Sequence, residues 1–208
     1  MLDNGICRLG VFYDGTFFAR SQNYFYHDRQ LGWLDFKELH RLLQEYVRTK
    51  EPGFFAYKVV YAAWFQGLFT SSHAEERQLR RDRNLHHDLM HAGIEAKHLP
   101  MSASEQEKGV DVALAVDALQ VGVKNQIDIA VLVTGDGDFV PLVRALNKNG
   151  IRVLVAYFTY EGKTSGKGFA NDRLLTAANY ELDITSLEHD KEFRALFKAL
   201  FRKTEKPS

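Results

Sequence analysis

The sequence holds a single cysteine and no net charge, 27 basic residues balancing 27 acidic ones. One thiol, Cys7, excludes an intramolecular disulfide, and a thiolate zinc cluster needs more than one. Cys7 just precedes an apolar run, which suits a small core residue. The missing positive excess argues against a protein that coats nucleic acid by charge alone, as a histone does. It leaves open a site that meets phosphate through metal ions, where only local charge counts. No window approaches 18 uninterrupted apolar residues, and Met1 to Arg8 carries Asp3 and Arg8 rather than the apolar stretch of a signal peptide. The expectation is a soluble cytoplasmic protein with no membrane partner.

What is present is ordinary globular composition, 45% hydrophobic and 26% charged, which excludes a disordered chain, a collagen or a mucin-like stalk. A chain of 208 residues suits one domain, and folding should bury roughly 70% of its extended surface. No repeat, heptad or clean domain boundary appears.

Leu9 to Tyr13 reads as a short buried strand stopped by Asp14-Gly15. Residues 16 to 33, aromatic and weakly periodic, read as a loop or irregular helix. Asp35 is placed to cap a helix bearing Phe36, Leu39, Leu42, Leu43 and Tyr46, broken by Pro52-Gly53. Phe54 to Trp64 fits a central strand. A helix over about 74–91 stops at Gly93, and a strand follows over 94–99. Val110 to Val121 reads as a helix with Val112, Ala115, Val116 and Leu119 as its buried stripe. Ile127 to Val133 reads as an interior parallel strand, and Phe139 to Leu146 as a helix that tolerates Pro141 in its first turn. Ile151 to Ala156 is another buried strand. Residues 159–171 read as a flexible loop. A short helix over 172–178, a strand over 181–184, a closing helix over about 188–203 and a mobile tail complete the chain. The closing helix, with Phe193, Leu196, Phe197 and Leu200, is expected to dock on the sheet or form a homodimer seam. Strands alternating with helices predict an α/β fold, a mostly parallel central sheet with helices on both faces. In such sheets ligands sit beyond the carboxyl ends of the strands.

The acids fall at those ends. Asp14 follows the first strand, and Asp136 and Asp138 follow the strand ending at Val133, within Thr134-Gly135-Asp136-Gly137-Asp138. Asp111 opens a helix behind Glu105, Glu107 and Lys108. From 105 to 138 there are seven acids against two bases, a local surplus that the neutral total conceals. Converging carboxylates repel one another, and a divalent cation relieves that repulsion. Oxygen ligands without His or Cys suit Mg²⁺ or Mn²⁺. Taken singly, each Asp reads as readily as a turn residue or helix cap, Asp138 before Phe139-Val140-Pro141 above all. Asp117 lies roughly 240° round the helix from Asp111, so it reads as solvated or capping a neighbour.

Val11-Phe12-Tyr13-Asp14-Gly15, Lys108-Gly109-Val110-Asp111 with its apolar continuation to Asp117, and Val131 through Thr134-Gly135-Asp136-Gly137-Asp138-Phe139 to Val143 together resemble the NYN family, the LabA/DUF88 branch of PIN-like nucleases. The likeness spans roughly residues 8 to 184. It implies a PIN-like three-layer sandwich and metal-dependent cleavage of RNA. It assigns Asp14, Asp111, Asp136 and Asp138 as catalytic metal ligands for Mg²⁺ or Mn²⁺, with Thr134 beside them. Two positions depart from the family pattern. Phe17 stands three positions after the first Asp, where members carry Asn, and Asn23 is the candidate to replace it in space. Asn179 stands where an Asp is common.

The expected chemistry is attack of an activated water on an RNA phosphodiester. Arg77, Arg80, Arg81, Arg83, His86 and His87 form the strongest basic patch, and Lys163 and Lys167 sit in a glycine-rich loop; both sets are candidates for contacting single-stranded RNA. Tyr13, Tyr24, Tyr26 and Trp33 are candidates for base stacking, with core packing as the plainer reading. Two rivals stand beside the nuclease. A haloacid-dehalogenase phosphatase would need a nucleophilic Asp two positions before Asp14, where Phe12 has no nucleophile. A PIN-like module that binds RNA or a protein partner without turnover is the second, favoured by Phe17 and Asn179.

Overall fold

A computed structural model describes residues 5–68, 76–100 and 109–202. Six parallel strands form one sheet: β1 (Ile6–Asp14), β3 (Ala56–Leu68), β4 (Glu95–Pro100), β5 (Ile129–Val133), β6 (Arg152–Tyr157) and β9 (Tyr180–Asp183). Their order is β4-β3-β1-β5-β6-β9. Alternation along β1 decides what each face receives. Leu9, Val11 and Tyr13 point into one core, with Trp64 of β3 and Val131 of β5. Phe12 points into the other, with Phe65 and Leu132.

The first core is covered by α1 (Gly15–Asn23), α2 (Phe36–Lys50), α3 (Glu76–His91) and α7 (Arg194–Ala199). The second is covered by α4 (Val110–Val123), α5 (Val140–Lys148) and α6 (Asp172–Ala177). The chain therefore winds outward from β1 to β4 on one face, then returns through α4 on the other to start β5. The seam between β1 and β5 is where the winding reverses, the point at the strands' carboxyl ends where open α/β sheets take their ligands. No helix among the described residues is long and apolar enough to cross a membrane.

Local chemistry explains most boundaries. Asp35 accepts from the amides of Lys37 and Glu38 and starts α2, as its sequence predicts. Pro141 sits in the first turn of α5, and Asn149 with Gly150 (φ +79°) ends it.

Of the two readings of residues 16–33, the irregular helix holds over 15–28: α1 runs into a π-helical turn at Tyr24–Asp28, because Phe18, Tyr24 and Phe25 pack into the first core. Three expectations need correction. The stripe that α4 buries is Val110, Leu114, Ala118 and Val121, while Val112 and Val116 face outward at 65% and 50% exposure. This helix is apolar nearly all round, so its periodicity does not identify the inner face. Residues 160–168 form a hairpin of β7 (Tyr160–Gly162) and β8 (Gly166–Gly168), latched where Asp28 accepts from the amides of Thr164 and Ser165. The closing helix is only Arg194–Ala199, preceded by a 3-10 turn at Thr185–Glu188. Phe193, just ahead of it, meets Tyr46 of α2 and its Phe197 meets Phe25, so both rings pack within the chain.

The last described strand, β10 (Phe201–Arg202), pairs antiparallel with β2 (Trp33–Leu34). Arg202 bridges Asp35 at 2.7 Å and Asp88 at 3.0 Å, fastening the end of the chain to α2 and α3. Burial alone would raise the Asp35 carboxyl, but Arg202 and the helix amides outweigh it and hold the group below its ordinary value. The expected tail, 204–208, lies outside the described residues.

His40 of α2 is buried beside Tyr13, its Nε2 without a hydrogen bond. Burial lowers its imidazole from 6.5 to about 4. Below pH 6.5 the unfolded chain takes up a proton that the folded chain refuses, so stability falls down to about pH 4 and then levels. Urea unfolding across this range should show the parent losing up to about 3 kcal/mol more than His40→Leu. Equal pH slopes in the two proteins would contradict the burial of a neutral imidazole.

Candidate active site

Tyr13 pairs with Val133 in the β1–β5 register, so the next residues, Asp14 and Thr134, leave the sheet side by side. Thr134 is fully buried. Its hydroxyl donates to Asp14 Oδ2 at 3.0 Å and accepts from the Asp136 amide at 3.2 Å. Asp14 Oδ1 accepts from the Phe17 amide at 3.0 Å and so caps α1. One threonine thus ties the acid after β1 to the turn after β5.

Asp136 is the cap of the next element. Its Oδ1 accepts from the Asp138 amide at 2.9 Å and starts the 3-10 turn at Gly137–Phe139. This corrects the reading of Asp138 as the cap. Asp138 is exposed, and among the described residues nothing hydrogen-bonds or ion-pairs with its carboxylate. Asp111 lies exposed in the first turn of α4, behind Gly109 in the left-handed conformation (φ +81°). Glu105, Glu107 and Lys108 lie outside the described residues.

The turn is held from outside by a segment that sequence reasoning missed. The Asn171 amide donates to the Gly135 carbonyl at 2.9 Å, and the Asn171 side chain caps α6 through the Arg173 amide. A Cβ on Gly135 would stand 2.2 Å from the Phe169 carbonyl, and one on Gly137 would stand 2.8 Å from the Asn171 carboxamide. Both glycines are required by this close approach. The approach leaves the Phe169 ring 65% exposed beside the acids. Within 159–171 only a polar residue ahead of Asp172, where a helix cap belongs, could have pointed to Asn171.

The two departures from the family pattern have different weight. The Phe17 ring lies within 2.9 Å of where a Gly135 Cβ would stand and packs toward Phe158, so an apolar wall replaces a polar group at the pocket. Asn23 ends α1, about 13 Å along the helix from Asp14, and does not take the place of the missing Asn. Asn179 precedes β9, where its Oδ1 accepts from the Val153 amide at 2.7 Å. That is the amino end of the strands, so Asn179 does not alter the charge at the acid site.

Asp117 is neither solvated nor a cap. Lys97 of β4 donates to Asp117 Oδ1 at 2.6 Å and to the Tyr61 hydroxyl at 2.8 Å, and Tyr61 donates to Asp117 Oδ2 at 2.6 Å. Burial would lower the Lys97 ammonium, but its bonds to Asp117 and Tyr61 prevail and hold it above its ordinary value. This knot pins α4, and with it the turn bearing Asp111, to β3 and β4.

Of the candidate contacts, Arg80, Arg81 and Arg83 are exposed in the half of α3 nearer the carboxyl ends, and Arg77 lies on the same helix. Lys163 is exposed at the hairpin turn, while Lys167 pairs with Glu161 at 2.9 Å. Tyr13 is fully buried and Tyr24 stacks on Tyr160, so neither can stack on a base. Tyr26 and Trp33 pair with each other, Trp33 remaining partly exposed.

Among the described residues no group of three or more His, Cys, Asp or Glu side chains stands in metal-holding geometry. The donor types nonetheless fit a hard divalent cation: carboxylates and a hydroxyl, with no nitrogen or sulfur. Asp111 and Asp138 are both exposed in first turns.

Comparison with protein families matches residues 8–185 to the family described as NYN domain. Among solved structures, the crystal structure of VPA0982, a protein of unknown function from Vibrio parahaemolyticus, is similar with a TM-score of 0.57. The two are 22% identical, over 88% of this chain and 96% of that one, which shows the fold alone. The curated proteins give no match.

Thr134→Val keeps the shape and removes the hydroxyl that joins the two turns. It should cost about 1–3 kcal/mol in urea unfolding, since Asp14 and the Asp136 amide each lose a partner. Unchanged stability would contradict the bridge. Gly135→Ala should speed hydrogen exchange at the Asn171 amide by pushing residues 169–171 off the turn, and an unchanged rate would contradict that contact.

Proposed function

The chain belongs to the NYN domain family, and from that premise we propose that it is a divalent-metal-dependent ribonuclease hydrolysing RNA phosphodiesters. The observation that carries this reading is the Thr134 bridge. It ties the Asp14 carboxylate to the Asp136 backbone at the reversal point of the sheet, with Asp138 in the turn that Asp136 caps and Asp111 in the first turn of α4. The paired Lys-Gly-Val-Asp and Gly-Asp-Gly-Asp-Phe blocks are what support reading it as a member of the LabA/DUF88 branch.

Asp14, Asp136 and Asp138, with Asp111, would hold Mg²⁺ or Mn²⁺. When bound, such an ion activates water and neutralises charge developing on the phosphoryl oxygens. The chain's own part is to hold acceptors in place. The Phe17 amide and the Thr134 hydroxyl fix both oxygens of Asp14, and the Asp138 amide fixes one oxygen of Asp136. Phe17 excludes water from one wall. Single-stranded RNA is the favoured substrate, because an unpaired strand presents its phosphates to an acid pocket within the crevice. Arg80, Arg81 and Lys163 are the contacts proposed for its backbone.

A second reading rests on Phe17 and on the three-carboxylate group that is not assembled. In it the domain binds RNA or a protein partner without turnover. The two separate in one assay with single-stranded RNA and Mn²⁺. The nuclease reading expects cleavage that EDTA abolishes and that Asp136→Asn slows by about a hundred-fold or more. Binding without cleavage under any metal establishes the second reading, and equal cleavage by Asp136→Asn removes the site assignment.

A further inference from the structure

The last turns of α3 carry a histidine pair that takes no part in the acid site. His87 and His91 are four residues apart and share one face of the helix. Their Nε2 atoms are 3.0 Å apart and their ring centroids 4.3 Å, with both side chains exposed. Two nitrogens that each lie about 2.0–2.1 Å from one ion are separated by about 2.9 Å at a right angle and about 3.4 Å at the tetrahedral angle. The pair is therefore already spaced as two ligands of a single ion.

Two neighbouring features favour a cation here. Asp88 Oδ1, held in place by Arg202 at 3.0 Å, lies 3.8 Å from His87 Nδ1 and sets a carboxylate beside the ring. His91 is the last residue of α3, at the negative end of the helix dipole.

We propose that His87 and His91 chelate a borderline transition-metal dication of the Zn²⁺, Ni²⁺ or Co²⁺ class, at a surface site separate from the acid crevice. Imidazole nitrogen selects these ions over Mg²⁺, which prefers oxygen. Two protein ligands leave the remaining positions to water, so the site is open to an incoming donor.

The test is calorimetric titration of the full chain with Zn²⁺ at about pH 7.5, where imidazole is neutral. Binding should survive excess Mg²⁺, weaken by about ten-fold or more in His87→Ala and in His91→Ala, and stay unchanged in His86→Ala. Both alanine variants should melt with the parent in the absence of metal, since the replaced side chains are exposed. Retained Zn²⁺ affinity in His91→Ala overturns the proposal. So does displacement of Zn²⁺ by Mg²⁺, or no Zn²⁺ binding at all, which would leave the pair as an imidazole–imidazole hydrogen bond.

Discussion

The hydroxyl of Thr134, buried at the seam of β1 and β5, donates to Asp14 and accepts from the backbone of Asp136. A carboxylate at the end of a hydrophobic sheet needs partners that fix it. Here the Thr134 hydroxyl and the Phe17 amide fix Asp14, and the Asp138 amide fixes Asp136. Asp14 and Asp136 also cap the helical turns that follow them, so their placement is built into the fold. The glycines beside them and the Asn171 segment follow from the same crowding.

A neutral total says little about local charge in this chain. Asp14 and Asp136 stand at the reversal point, whereas Asp117 pairs with Lys97 and Asp128 with Arg8 away from it, and the hairpin with Lys163 is latched by Asp28. Electrostatics at such a site is local, and the sum over the whole chain does not describe it. Lys97, Asp117 and Tyr61 act at a distance from the crevice by fixing α4, whose outward valines give it no polar face to set its rotation.

The strand–helix alternation and the acids at the strand ends were legible because burial on both faces writes continuous apolar runs such as Ile129–Val133, and because Asp, Gly and Pro punctuate turns. The stripe of α4 was not legible, since a helix apolar all round leaves the choice of face to tertiary packing. The hairpin at 160–168 was read as a loop because its order comes from Asp28, more than 130 residues earlier in the chain. Asp138 was read as the cap because it precedes Phe139-Val140-Pro141. The 3-10 turn moves the cap two residues back to Asp136. Phe17 and Asn179 looked alike as departures from the family pattern, and only their positions at opposite ends of the sheet separate them.

The central claim is that the acids joined by Thr134 hold a hard divalent cation. The measurement that tests it most directly is anomalous diffraction from crystals grown with Mn²⁺. The account predicts a peak within coordination distance of carboxylate oxygens of both Asp14 and Asp136, absent from crystals of Asp14→Asn. Crystals with Mn²⁺ elsewhere and the Asp14–Asp136 crevice without a peak would contradict it.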